Sequence, residues 1–252
     1  MSGKRSKARR RRRRARRFVL RFLFFAAVLA ALAFVFQLKT VVVRGNLHET
    51  PEEITEMILS RPVFGNTLLA KAFNTNRRIE SDGFVEKLDV RILSPDTIRV
   101  YVTERNFVGC LTSGGRWWYF DSAGAVRASA LSRTDGEQIP PVEGLELGSD
   151  PAVGKALPIT NTKVFSMLGV LSNLVSADST LMPDMVTFDG KSSMTLTYGD
   201  ITVLLGTGEK LELRIRKMGE VLPAIEGKYK GTLHLETYDG SQSNLIFDPS
   251  GS

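Results

Sequence analysis

The sequence predicts an α+β protein. A single N-terminal transmembrane helix comes first, then a small strand–helix–helix–strand–strand unit, then a mixed β-domain with two amphipathic helices. Three observations predict it. An arginine-rich tail runs directly into one apolar stretch, Phe22–Leu38. Beyond it, segments of strict apolar/polar alternation stand beside a segment with helix-start signals. Further on, two segments place apolar residues at helical spacing among short β-branched runs.

The tail and the apolar stretch are read together. Eleven Lys/Arg residues crowd positions 1–17, and no carboxylate occurs before Glu49. Phe22–Leu38 is 17 residues, or 21 if the helix starts at Phe18. At about 1.5 Å per residue, the longer version reaches about 31 Å, the thickness of a hydrocarbon core. Arg21 then lies one turn inside, and its long side chain snorkels back to the headgroups. Arg9, Arg10, Arg11, Arg12, Arg13, Arg14, Arg16 and Arg17 set the orientation, N-terminus in the cytoplasm, and attract anionic lipid headgroups. The expected address is the cell membrane, single-pass, with the remaining domains extracytoplasmic.

Other readings compete. Ala31-Leu32-Ala33 has the form of a signal-peptidase site, but Phe34-Val35-Phe36 continues the apolar run. Arg16-Arg17-Phe18 resembles a twin-arginine signal, yet a paired arginine is nearly unavoidable in such a run. Nucleic-acid binding by the tail is the third; topology explains the same charges more cheaply. The charge distribution supports topology. Residues 1–21 hold 12 of the 34 basic groups and none of the 27 acidic ones, so 22 basic face 27 acidic groups beyond, a formal −5. That part has no global attraction for nucleic acid, which is not an expected partner. The single cysteine, Cys110, excludes an internal disulfide and reads as a small core residue.

The elements follow in order. Thr40–Val43 is a β-branched run closed by an Arg44-Gly45-Asn46 turn. Thr50-Pro51-Glu52-Glu53 opens a helix: Thr50 as N-cap, Pro51 at the first position, Glu53 completing a capping box. Ile54 and Ile58, with Met57 and Leu59 as further candidates, form its inner face. Asn66–Ala72 is ambiguous, with Leu68 and Leu69 expected to be buried. Arg77–Ser81 reads as a short helix. Val85–Leu93 and Thr97–Thr103 are strands about the Ser94-Pro95-Asp96 turn; in the second, Ile98, Val100 and Val102 alternate with polar or aromatic residues.

This ordered set resembles the POTRA domain of the FtsQ/DivIB bacterial cell-division family. The residues carrying the resemblance are Val43, Gly45, Asn46, Glu53, Ile54, Val90, Pro95, Thr97, Ile98, Val100, Val102, Glu104 and Arg105, followed by Trp118-Tyr119-Phe120-Asp121-Ser122-Ala123-Gly124. Asp82-Gly83-Phe84 departs from the proline the family often has before the next strand. The resemblance implies boundaries at 1–21 (basic tail), 22–38 (span), 39–106 (POTRA), 107–238 (β-domain) and 239–252 (flexible tail). It implies a non-enzymatic scaffold at the division septum. Its partners would be small single-pass coiled-coil division proteins (FtsB/DivIC-like and FtsL-like) and, through them, the septal peptidoglycan synthase complex. The alternative is a POTRA-bearing secretion or membrane-assembly factor; this chain has one such unit and no run of lipid-facing strands.

In the β-domain, Arg116–Asp121 and Ala125–Ser129 form a hairpin. Ser129–Gly154 is loop-like around Val142–Leu147. Val164, Leu168, Leu171 and Val175 lie on one helix face; Leu211, Ile215, Met218 and Leu222 lie on another, within Lys210–Leu222. Asp184–Phe188, Ser193–Tyr198, Ile201–Leu205 and Gly231–Thr237 are strands. Ser241–Ser252 reads as loose. Trp117–Phe120 in a strand point alternately to both faces, and core on both faces is the plain reading.

Chemistry finds little support. His48 and His234 are the only histidines, neither near a second ligand, and no serine has an evident His partner. Gly206-Thr207-Gly208-Glu209-Lys210 lacks the spacing of a phosphate loop and reads as a tight turn. No enzyme, metal or cofactor is expected. The candidate site is instead a sheet edge. A terminal strand at a sheet edge offers unpaired backbone groups, so Thr232, Leu233, His234, Leu235, Glu236, Thr237 and Tyr238 are candidates for strand addition by a partner; an edge shielded by its own charges and tail is the equal alternative. The resemblance favours the same region. Arg214 and Lys217 are weaker candidates for acidic groups on that partner.

Overall fold

The computed structural model describes residues 3–190, 192–241 and 245–249, with side chains from Arg16 onward. The chain forms two compact units, Met1–Ile79 with Val85–Glu104, and Glu80–Phe84 with Arg105–Ser252.

The first unit begins with α1 (Gly3–Val35), whose apolar part, Arg16–Val35, is long enough to cross a membrane. Its helical bonding stops three residues short of the expected end. Gln37 instead makes a bridge with Asn66, and Leu38 packs against the core of this unit. The end of the apolar run thus belongs to the folded domain.

β1 (Thr40–Arg44) leads through Gly45 to α2 (Pro51–Leu59). Gly45 has φ +84°, and a Cβ there would lie 2.6 Å from the Val102 carbonyl oxygen, so only glycine closes this turn. The expected capping box is present: Thr50 Oγ1 accepts from Glu53 N–H at 3.2 Å, and Glu53 Oε2 accepts from Thr50 N–H at 2.8 Å. Ile54 and Ile58 are buried, whereas Leu59 is exposed.

The ambiguous segment is α3 (Thr67–Asn74), capped by the Asn66 side chain, which accepts from the N–H groups of Leu68 and Leu69. Its inner face is Thr67, Ala70 and Asn74; Leu68, expected to be buried, is exposed. The short helix expected at Arg77–Ser81 is absent. Arg77–Arg78 is a strand, β2, antiparallel to β3 (Val85–Ser94). The helical reading failed because two residues carry too little pattern, and the pairing comes from across the sheet. β4 (Thr97–Glu104) completes a sheet of order β1-β4-β3-β2, with β1 parallel to β4.

Among the described residues, the second unit holds two sheets. β5 (Gly109–Ser113), β6 (Arg116–Phe120) and β7 (Val126–Ala130) form an antiparallel meander. On β6, Tyr119 joins Phe84 and Phe107 in three edge-to-face contacts, with centroids 5.0–5.7 Å apart. Phe120 faces the main core and meets Phe165 at 5.7 Å. Both faces are core, as strand alternation requires.

The larger sheet contains β8 (Val142–Glu143), β9 (Met185–Phe188), β10 (Met194–Tyr198), β11 (Ile201–Gly206), β12 (Gly231–His234) and β13 (Ile246–Pro249) in the order β13-β12-β11-β10-β9-β8. Two expectations change here. The Val142–Leu147 stretch contributes a strand, β8, parallel to β9. Part of the supposedly loose tail is β13, antiparallel to β12. α4 (Lys163–Ala177) and α5 (Leu211–Ile225) bury the apolar faces expected of them, including Leu168, Leu171, Ile215 and Met218.

Candidate functional site

The candidate edge is built from β12 outward. Leu233 and Leu235 are buried, while Thr232, His234 and Glu236 are half-buried on the other face. β12 itself ends at His234. Leu235 N–H still donates to the Leu204 carbonyl at 2.9 Å; Tyr238 N–H then turns back to the Leu235 carbonyl at 3.0 Å. Glu236 and Thr237 therefore lie in a turn, and Tyr238 is buried at the end of the core.

Backbone direction divides the strand. Gly231 N–H donates to the Asp200 carbonyl and Leu235 N–H to the Leu204 carbonyl, so odd positions bond toward β11. Strand backbones alternate, so Thr232 and His234 turn their N–H and C=O groups to the other side. That side is occupied: Thr232 pairs with Asp248 and His234 with Ile246 of β13. The edge is covered by the chain's own C-terminal strand, the shielded alternative of the two.

β13 is a short cover. It is four residues long, exposed along most of its length, and its outermost backbone positions are Phe247 and Pro249. Proline has no N–H, which blunts the outer edge against further pairing. Close approach depends on Gly231, where a Cβ would meet the Asp248 carbonyl oxygen at 2.2 Å. The cover is held by charge as well. His234 Nδ1 lies 2.9 Å from Glu236 Oε1, and Nε2 lies 3.1 Å from Asp248 Oδ2. Glu236 first, then Asp248, raises the imidazole pKa above its ordinary 6.5. Asp248 was missed from sequence; the signal was Leu245-Ile246-Phe247, an apolar run inside a polar tail.

Arg214 does not face a partner. It is 8% exposed, and its guanidinium donates to the carbonyls of Tyr238, Leu205 and Thr207 at 3.1, 2.8 and 3.3 Å. These bonds tie the Gly206–Gly208 turn and the end of the terminal strand segment to α5. Lys217 pairs with Glu220 at 2.7 Å on the helix surface, which raises its pKa. The side chains of Arg9, Arg10, Arg11, Arg12, Arg13 and Arg14 lie outside the described residues; Arg16 and Arg17 are exposed on α1.

A buried polar group sits elsewhere in the second unit. Glu137 accepts from Tyr119 Oη at 3.0 Å and lies 3.4 Å from Arg133 Nε. Cys110 Sγ is 3.9 Å away, and burial pushes its thiol up to about 12. A thiol so far from ionising is a poor nucleophile. Among the described residues, no group of three His, Cys, Asp or Glu is placed to hold a metal.

The comparisons with known proteins bear on the first unit. The family model described as "POTRA domain, FtsQ-type" matches residues 36–105. This segment is an FtsQ-type POTRA domain. It starts one residue after α1 ends, and it supports the FtsQ/DivIB resemblance and, more coarsely, a cell-division family. No curated protein matches the chain. The apolar helix before the POTRA domain fits a single-pass membrane protein.

Proposed function

We propose that this chain is a non-enzymatic, single-pass divisome scaffold. Its N-terminus lies in the cytoplasm, and its POTRA and β-domains work outside the membrane at the division septum. It binds small single-pass coiled-coil partners of the FtsB/DivIC and FtsL kinds, and through them helps regulate the septal peptidoglycan synthase complex. The observation that carries this is the FtsQ-type POTRA match directly behind an apolar helix. The arginine tail supports the orientation and adds attraction to anionic headgroups.

At the β-domain, a partner strand takes the place of β13 on β12. Thr232 and His234 offer backbone groups on that side, Pro249 blunts the alternative edge, and β13 is short and exposed. Such pairing supplies binding energy through main-chain bonds and selects side chains through alternate pockets. The test is co-purification of the full chain with a small single-pass coiled-coil protein, alongside depletion in cells. Capture of such a protein and failure of septation are expected. Normal septation after depletion would overturn the division role.

A further inference from the structure

Phe64 is 86% exposed and has φ +46°, in the left-handed region that bulky side chains avoid. It is followed by Gly65 at φ +62°, and Asn66 N–H donates to the Val63 carbonyl at 2.8 Å. Two consecutive positive φ values inside such a turn are the signature of type I′, where Asn, Asp or Gly stands at the first central position at less cost. The fold therefore holds a large aromatic out into solvent in a strained conformation without packing it. An observed outlier of this kind points to a role other than stability.

The position of the turn supplies the role. Leu38 N–H donates to the Gly65 carbonyl at 2.7 Å, and Thr67 N–H donates to the Phe36 carbonyl at 2.8 Å. The turn is thus bonded to the three residues that follow α1. At about 3.3–3.6 Å per residue, those three reach at most about 11 Å beyond Val35. The interfacial layer on each side of a hydrocarbon core is about 5–8 Å deep, so the turn falls at its outer margin. A second turn lies there too: Lys39 and Thr40 N–H both donate to the Asp96 carbonyl, and Thr67 Oγ1 donates to the Pro95 carbonyl. Beside these turns, Leu68 (36%) and Leu93 (48%) are exposed, with Lys39 and Arg61 exposed around them. Lys39 lies beside Asp96 of the second turn, so its charge is partly met within the chain; exposed apolar side chains with basic groups near them are the pattern of a lipid-interface contact.

We infer that the Phe64 turn, with Leu68 and Leu93, is a membrane-contact element that dips into the interfacial layer where α1 emerges. The partner is the lipid surface itself, and the inference rests on α1 spanning the membrane. It gives the POTRA unit a second point of attachment, fixing its tilt as well as its position.

The test uses the full chain in vesicles of phosphatidylcholine and phosphatidylglycerol, with nitroxide labels at Phe64→Cys, Glu52→Cys and Leu29→Cys in separate samples. Buried Cys110, with its raised thiol pKa, stays unlabelled. Accessibility to oxygen relative to a water-soluble nickel reagent is expected to be several-fold higher at position 64 than at exposed position 52. A label at 64 as wet as that at 52, or shielded from both reagents by protein, overturns the inference while leaving the span intact. A wet label at 29 overturns the span and this inference with it. Phe64→Gly separates contact from packing: it is expected to melt at the same temperature or higher, having relieved the positive φ. A melting temperature several degrees lower would make Phe64 a packing residue and overturn the inference.

Discussion

The POTRA unit and the β-domain finish their surfaces in opposite ways. The POTRA unit leaves an aromatic uncovered on a strained turn beside the end of α1. The β-domain covers its last sheet edge with four residues of its own chain and holds them through a histidine between two carboxylates. The first surface is apolar, and on the inference above it meets the lipid boundary. The second is short and polar, and on the proposed function it gives way to a partner strand. A strained, exposed aromatic and a short cover strand imply different kinds of neighbour.

The largest effects should come from the cores that hold these surfaces in place. Ile58→Ala in the POTRA unit and Leu196→Ala in the β-domain each remove a fully buried side chain and should cost about 2–5 kcal/mol. Amide hydrogen exchange should rise across β1, β3 and β4 in the first variant and across β9, β10 and β11 in the second. Arg214→Met comes next. It leaves the Leu205, Thr207 and Tyr238 carbonyls without their donor and should cost about 2–3 kcal/mol by thermal or chemical denaturation. A partner-facing arginine would show little stability loss and a binding defect instead. Thr50→Ala, which removes the α2 cap, should cost about 1 kcal/mol.

The smallest effect is the most diagnostic of how firmly β13 is held. Glu236 is the main cause of the raised His234 pKa; Asp248 of β13 is a further one, and through it the protonated form supports β13 pairing. That support is fully present below the ordinary histidine pKa of 6.5 and is lost as pH rises through the raised value. Glu236 and Asp248 are the charged groups facing the ring, so both must remain ionised. Exchange at Ile246 and Asp248 should therefore quicken as pH rises beyond the intrinsic base-catalysed rate, and His234→Gln should abolish that excess.

Much of this was legible before the fold. The capping box, the Gly45 turn and the alternation of Ile98, Val100 and Val102 are local signals, and each met its structural counterpart. The arginine tail and apolar stretch located α1, though its end was misplaced because an apolar residue can serve a membrane or a core equally well. The failures share one cause. β2, β8 and β13 are two to four residues long and owe their existence to distant partners, so no periodicity announces them. At the edge, the sequence located the strand and left shielding by the tail open, but did not show that the tail pairs as a strand. Within that candidate segment, Leu235 is the wrong place for a proline probe. Leu235 N–H bonds inward to Leu204 and its side chain is fully buried, so proline there would damage the core without testing the edge.

The backbone geometry names the better probe. His234 faces β13 with its N–H, so His234→Pro removes a donor from the edge while sparing the β11 ladder. The decisive measurement is binding of a small single-pass coiled-coil partner to the full chain carrying this substitution, beside a chain ending at Gly240 that lacks β13. Strand replacement predicts a folded His234→Pro variant that has lost most of its binding, and a shortened chain that binds at least as tightly as the intact one. A folded His234→Pro variant that binds as the intact chain does, or a shortened chain that no longer binds, would contradict it.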